Sequence, residues 1–387
     1  MRRSFRGIAV TAPVKTQYNR VKEHSVAWYI GTVLKKLLDV SGQQKSDLDG
    51  LALSSYSNHP DSAAVMAEHF GLELSWLVDL PMGGASGVIA MMRAARAVQA
   101  GDASVVACIG ADTLMGEDFK KLIDNFSSFS RDYVKPYGAA GPNQVFALMT
   151  QYYMNRYGVG REDFGRICMA QRRSASHNPE ALLRKPITMD DYLNARPVCD
   201  PLRLLDCVMP CCGGEGFLVM SEARAQAAGL PYVTIAGAME THNAFASDPV
   251  QYRAGWEKAS ADMYAMAGMT PADMGFLQAY DDYPLIVMLQ LEGLGFCGPG
   301  EAAEFVRATS LDVDGGGLPV NTCGGMLSAG QAGAAGGFLS VVEGIRQLNR
   351  TPPGLQAPDL AAGIVSGYGY VNYDRGLCCS AAILVTP

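Results

Sequence analysis

The feature that most constrains this chain is an internal repeat. "ASGVIAMMRAARAV" from Ala85 aligns without a gap on "AGGFLSVVEGIRQL" from Ala335, setting Gly87 over Gly337 and Arg96 over Arg346. Each stretch has apolar residues at helical spacing and is followed by a strand-like run, "ASVVACIGAD" in one case and "AAGIVSGYGYV" in the other. Two amphipathic helices can match by chance. A shared helix–strand order and a glycine-rich entry favour duplication, with halves at 1–225 and 226–387.

The composition has room for two packed lobes, because 387 residues carry 49% hydrophobic and only 18% charged side chains. A net charge of -7 without a Lys/Arg run argues against nucleic acid or an anionic membrane as the main partner and favours small-molecule work. No apolar run reaches the roughly 20 residues of a bilayer span. The start has early arginines but only a short apolar stretch before Pro13, so a cytosolic protein is expected. The ten cysteines are scattered without a C-x-x-C pair and read as reduced thiols. The adjacent pairs Cys211–Cys212 and Cys378–Cys379 are poorly spaced for one tetrahedral ion, and no metal site is expected.

Along the chain, a helix is expected over Val21–Leu38, a strand after Gly50, and a helix closed by Gly101. The stretch from about Gly116 to Arg196 lacks strand alternation and reads as helices and loops laid over the core. Such insertions often form lids and tunnels. "RDYVKPYGAAGPN" suits a lid, and "QVFALMTQYYMNRYG" reads as a helix with a core aromatic stripe. "PYVTIAGAME" restarts the strand pattern, and His242 beyond it reads as a surface or lid residue.

Taken together, the duplicated half, the "GGASG" helix entry, "QAYDDYPLIVMLQLEGLG", "NTCGGMLSAGQAGAAGG" and the terminal "GIVSGYGYVNYDRGLCCSAAILV" resemble the thiolase superfamily over essentially the whole chain. Within it they look like the sterol-carrier-protein-type thiolases and their thiolase-like relatives. The resemblance implies an α/β fold of two βαβαβ halves in a five-layered αβαβα core, usually dimeric. It also implies an acyl-CoA thioester as substrate, with coenzyme A part of substrate and product and no bound prosthetic group.

The thiolase chemistry does not carry over with the fold. The family's nucleophilic cysteine, aligned through Cys-x-Ser-Gly onto "GASG", falls on Gly84, and its Gly-His-Pro histidine falls on Gln331. Where the acid/base cysteine is expected stand Ser366, Gly367 and Tyr368. A Claisen cleavage through an acyl-enzyme needs an activated thiolate, which glycine and glutamine cannot provide. An amide N–H and backbone donors at a helix start can still stabilise a thioester enolate. Retro-aldol cleavage of a β-hydroxyacyl-CoA passes through that enolate without a covalent intermediate. A C–C lyase of this kind, in lipid or aromatic-acid degradation, is the preferred reading.

The residues implied for catalysis are Tyr280, standing where the sterol-carrier-type thiolases have histidine, with Asp281 beside it, Gln331 and Tyr368. Those implied for substrate binding are Gly84, Ser86, Asn321, Cys323, Gly324 and Gly367. Tyr280 could equally be a core aromatic with a satisfied hydroxyl, and the carboxylates of Asp281 and Asp282 need not face one site. One alternative is an acyl-CoA thiolase or acyltransferase using Cys323; another is a non-catalytic subunit. Thiolase-like proteins without the usual Cys and His also resemble systems completed by a small OB-fold/zinc-ribbon subunit. This chain stops just after "AAILV", without an appended acyl-binding module, so a hetero-oligomer around a homodimer is expected. Phe126, Phe129 and Tyr133 would then be exposed lid aromatics.

Overall fold

The computed structural model describes residues 4–139, 141–358 and 361–387; Ala140 of the lid stretch and the first arginines, Arg2 and Arg3, lie outside the described residues. Nine strands form one folded sheet: β1 (Ile8–Lys15), β2 (Gly50–Ser54), β3 (Trp76–Asp79), β4 (Val105–Thr113), β7 (Cys212–Ser221), β8 (Tyr232–His242), β9 (Leu277–Gln278), β10 (Ala362–Asn372) and β11 (Arg375–Val385). The short β5 (Pro197–Cys199) and β6 (Leu202–Arg203) pair separately. Their order, β3-β2-β4-β7-β1-β8-β11-β10-β9, is nearly palindromic in role. In the first half β2 runs parallel to β3 and β4, and β7 is antiparallel to β4 and β1. In the second half β9 runs parallel to β10, and β11 is antiparallel to β10 and β8. A single parallel bridge from Leu277 to Val320 stands where β3 stands in the first half. The halves meet where β1 pairs with β8 at Ala9↔Thr234, Val10↔Val233 and Thr11↔Tyr232.

Helices of the first half are α1 (Val26–Ser41), α2 (Ala63–Phe70) and α3 (Ser86–Ala100), followed by the lid helices α4 (Gly116–Asp124) and α5 (Ser128–Tyr133). Then come α6 (Pro142–Tyr157), α7 (Arg161–Ser176), α8 (Met189–Leu193), α9 (Glu222–Ala227) and α10 (Trp256–Ala267). The chain continues with α11 (Pro284–Gly293), α12 (Ala302–Ala308), α13 (Gly325–Ala329) and α14 (Gly336–Leu348). The first helix starts later than the apolar spacing predicts, because the Ser25 side chain accepts the Trp28 N–H and fixes the N-terminus there. Gly101, left-handed at φ 81°, ends α3 as expected.

The repeated helices α3 and α14 form the middle layer. Phe338 of α14 packs near Phe217 of β7, with ring centroids 5.9 Å apart, while Ser340 donates to the Ser366 carbonyl of β10 at 3.0 Å, so one helix touches both halves of the sheet. The equivalent glycines of the repeat meet each other: a Cβ on Gly87 would lie 2.0 Å from the Gly337 carbonyl oxygen. The two backbones can approach this closely only without side chains. Outside one half of the sheet, Tyr29, Val33 and Leu37 of α1 pack on Leu53, Ile109 and Leu218; outside the other, Trp256 and Met263 of α10 pack with Met239 and Ala381. The result is the expected αβαβα layering of a thiolase-type α/β fold.

The inserted stretch is helical, as its composition implies, apart from the short β5 just beyond it. Its lid helices are tied to the β10–β11 turn, where Ser127 and Ser130 hydroxyls donate to Asn372 Oδ1 at 2.8 and 2.7 Å. Phe129 and Tyr133 are 58% and 67% exposed. Phe126 departs from the expectation: its ring turns inward, with centroids 5.6 Å from Tyr56 and 5.2 Å from Tyr370, because those two rings offer it an apolar seat under the lid.

Candidate active site

Three loops converge where the layers end. The segment after β9 is fixed first, by side chains that read its backbone: Asn321 Oδ1 accepts the Ala279 N–H at 2.7 Å, and Gln290 of α11 accepts the Tyr280 N–H at 3.1 Å while donating to the Tyr280 carbonyl at 2.7 Å. The glycine-rich loop before α14 is held by Gln331, whose N–H donates to Met209 O and whose carbonyl accepts from Cys211 N, both at 2.9 Å. Asp112, at the end of β4, joins that loop to the first half. Its carboxylate accepts the N–H groups of Tyr56, Ser57 and Ala334 at 2.9, 2.6 and 2.6 Å. The third loop is the turn at Gly83–Ala85 that opens α3.

These loops floor a cavity of about 330 Å³, roofed by Leu122, Ile123, Phe126 and Val134 of the lid and walled by Tyr56, Tyr283 and Tyr370. At its floor lie Gly84, Tyr280, Asp282, Gln331 and Tyr368. The Tyr280 hydroxyl donates to Asp282 Oδ2 at 2.8 Å, and Gln331 Nε2 donates to Asp282 Oδ1 at 2.6 Å and lies 3.4 Å from Tyr280 Oη. Phenol, carboxyl and amide form one closed polar cluster in an apolar pocket. Burial, reinforced by Asp282, holds the Tyr280 phenol well above its ordinary value. Burial also pushes Asp282 up to about 7, against the lowering effect of the Tyr280 bond.

The decisive contact is steric. A Cβ on Gly84 would sit 1.8 Å from Cε2, 2.1 Å from Cζ and 2.5 Å from the hydroxyl of Tyr280. The phenol ring therefore occupies the volume that any side chain at position 84 would need. A nucleophile there and Tyr280 in this pose exclude each other.

A model of the family "Thiolase C-terminal domain-like" matches residues 237–379. Over 338 residues the chain is 31% identical to a steroid side-chain-cleaving aldolase of Thermomonospora curvata, covering 83% of this chain and 85% of that protein. It is 33% identical over 339 residues to a 17-hydroxy-3-oxo-4-pregnene-20-carboxyl-CoA lyase of Mycobacterium tuberculosis, covering 82% and 85%. The chain belongs to the thiolase-like aldolases. Its fold superposes on a structure titled "Ltp2-ChsH2(DUF35) aldolase" with a TM-score of 0.82 and 29% identity, covering 98% of both chains. A monomeric sterol-carrier-protein-2-thiolase-like protein of Mycobacterium smegmatis, 16% identical, shares the fold with a TM-score of 0.70, covering 100% of this chain and 78% of that one.

In this thiolase-like aldolase the residues singled out from the sequence separate into two groups. Gly84, Tyr280, Gln331 and the Tyr368 ring come together at the cavity floor. The Tyr368 hydroxyl is engaged elsewhere, donating to Gln251 Oε1 at 2.5 Å and accepting from Gly376 N at 2.8 Å, with its ring stacked on Trp256. Asp281 turns away from the cavity and accepts the Met326 and Leu327 N–H groups at 2.8 and 3.1 Å, which positions the loop holding Gln331. Burial pushes it up to about 7 although those amides pull it down.

The remaining residues hold backbone. Ser86 donates to Leu80 O at 3.0 Å, and Asn321 orders the β9 segment. Gly324, at φ 104°, packs on Ala175, and Gly367 packs on the Gly84–Ala85 backbone. Cys323 faces a separate small void with Asn321 and Asp281, its carbonyl accepting from Asn178 at 2.9 Å, and burial raises its thiol well above the ordinary range. A thiol so placed is neither ionised nor facing the cavity. His242 is surface-exposed, pairing with Glu240 at 2.7 Å.

Of the cavity residues, Asp282 is weighed in the sequence but given no role, and Tyr56 is missed. Asp282 carried a signal, since in an extended segment side chains two apart share a side and Tyr280 was already assigned to the site. Tyr56 carried none, being a lone aromatic in a loop. Among the described residues no helix is long and apolar enough to cross a membrane, and no three His, Cys, Asp or Glu side chains are grouped to hold a metal ion.

Proposed function

We propose that this chain is a C–C lyase that cleaves a β-hydroxyacyl-CoA next to the thioester by retro-aldol chemistry, without an acyl-enzyme. The observation that carries the reading is the Tyr280 ring filling the space of any side chain at Gly84. It removes the nucleophile and supplies a proton-carrying group in the same place. Gln331 and the amides at the start of α3 stabilise the enolate oxygen, and Tyr280 exchanges protons with the β-hydroxyl. Coenzyme A enters and leaves as part of substrate and product, and no prosthetic group takes part. The relatives' names refer to steroid side chains and a pregnene carboxyl-CoA ester, and the aromatic walls of Tyr56, Phe126 and Tyr370 suit a bulky apolar acyl group of that kind.

The working unit is a complex with a small DUF35-type subunit, and the chain pairs with a second copy of itself. The superposed DUF35-containing aldolase supports the first statement, as do Phe129, Tyr133 and Tyr137, left 58%, 67% and 89% exposed on the lid. Ten cysteines without a disulfide support a reducing, cytosolic setting. The activity is tested by incubating the co-expressed complex with β-hydroxyacyl-CoA esters of tertiary alcohols and identifying the released ketone by mass spectrometry. Ketone formation with loss of the β-hydroxy ester supports the reading; an unchanged ester across such substrates refutes it. Full specific activity from the purified chain alone refutes the obligate subunit, and a monomer by light scattering at micromolar concentration refutes the pair.

A further inference from the structure

Retro-aldol cleavage needs a group that ends up holding the β-hydroxyl proton, and most of the polar groups at the cavity floor cannot. Burial keeps the phenols of Tyr280 and Tyr56 protonated, so neither can take a proton without passing one on. The Gln331 amide is not a base. Asp124, a carboxylate at the lid end, is bound to Lys135 at 2.6 Å. Among the described residues, Asp282 alone has the right contacts: it lines the floor, is hydrogen-bonded to the phenol that would meet the substrate, and is braced on its second oxygen by Gln331.

Resting on the retro-aldol reading, the geometry points to Asp282 as the proton acceptor of the reaction, charged through the Tyr280 hydroxyl. The β-hydroxyl O–H bond breaks as Tyr280 Oη takes its proton, while Tyr280 passes its own proton to Asp282 Oδ2. The freed electron pair forms the new carbonyl, and the Cα–Cβ pair moves into the thioester as an enolate. The proton then returns from Asp282 through Tyr280 to the α-carbon. Atoms and electrons balance within the substrate, and Asp282 ends as a carboxylate.

The electrostatics set the working range. The ionisable groups whose charge bears on Asp282 are Tyr280, Asp281 and Tyr283 on its own segment, Tyr56 after β2, Tyr368 on β10 and Cys207. All are acids, so none of their charges stabilises its carboxylate; the Tyr280 hydrogen bond lowers it, but burial outweighs that bond and leaves it titrating at about 7. Below that pH it is protonated and cannot accept. A general base near the operating pH is the efficient choice.

The test is kcat/KM for β-hydroxyacyl-CoA cleavage from about pH 5 to 9 in wild type, Asp282→Asn and Asp281→Asn. Wild type should lose activity on the acid side near pH 7. Asp282→Asn should lose roughly 100-fold or more at neutral pH and with it that acid limb, whereas Asp281→Asn should keep the limb whatever its rate. A folded Asp282→Asn enzyme with wild-type rate and limb overturns this proposal alone. If that variant does not fold, a wild-type profile flat through pH 7 overturns it instead. No cleavage by wild type at any pH overturns the retro-aldol reading as well.

Discussion

Gly84→Ala is the smallest change that tests whether Tyr280 owns the nucleophile's space. The added methyl carbon would lie 1.8 Å from Tyr280 Cε2, roughly 2 Å short of an ordinary carbon–carbon contact. The ring is buried and its backbone is clamped at both N–H and carbonyl by Gln290, so it can yield only by giving up its bonds to Asp282 and Gln331. Overpacking of this kind costs about 1–3 kcal/mol, and a displacement of about 1 Å at a reacting group can cost about 100-fold in rate. Thermal unfolding and cleavage rate are the two readouts, and both should fall. Gly84→Ala combined with Tyr280→Ala should be less destabilised than the sum of the single variants, by about 1–3 kcal/mol, because the methyl then has room. A Gly84→Ala protein with wild-type stability and turnover, or a strictly additive double variant, would refute the steric argument.

Other substitutions separate the chemistry from its supports. Tyr280→Phe should lower the cleavage rate at least about tenfold while CoA-ester binding, measured by calorimetry, persists, and Gln331→Ala should act similarly by removing an enolate donor. Cys323→Ala should retain turnover, and substrate-protected inactivation by iodoacetamide mapped to Cys323 would instead revive a thiolase mechanism. Tyr368→Phe removes the hydroxyl's bonds with Gln251 Oε1 and Gly376 N–H, but these two stay paired because Gly376 N–H also donates to Gln251 Oε1 at 2.8 Å, so stability should drop by only about 0.5–1.5 kcal/mol in a denaturant titration with a smaller effect on rate. Glu215, Asp281 and Asp282 are each pushed up to about 7 by burial, so the folded state holds protons that the unfolded chain releases near 4. Unfolding free energy should therefore decline as pH rises from about 4 to 7, and Asp282→Asn should flatten that decline.

The repeat was legible because helical periodicity and glycine placement survive in one dimension: Gly87 aligned on Gly337 before it was seen to touch it. The same signal placed α3, β4, α14 and β10. The run at Cys212–Ser221 was not read as a strand, since its glycines lower β-propensity and only the register with β1 and β4 makes it one. Gly84 and Tyr280 were each picked out by alignment, yet nothing in the sequence says that they share a single volume. Asp281 and Asp282 point apart because one serves α13 and the other the cavity, a division that depends on three-dimensional packing. Phe126 was read as exposed from its place in the lid, and the aromatic seat that draws it inward comes from residues far away in sequence.

Retro-aldol and Claisen cleavage differ most directly in their need for free coenzyme A. A thiolase must transfer the acyl group from its cysteine to CoA, whereas the aldolase releases an intact acyl-CoA and a carbonyl compound. The most direct measurement is a single turnover with β-hydroxyacyl-CoA in the absence of free CoA, following the carbonyl product and the intact mass of the protein together. The account predicts stoichiometric carbonyl release with no mass added to the chain. Cleavage that waits for added CoA, or an acyl adduct on any residue of the chain, would contradict it.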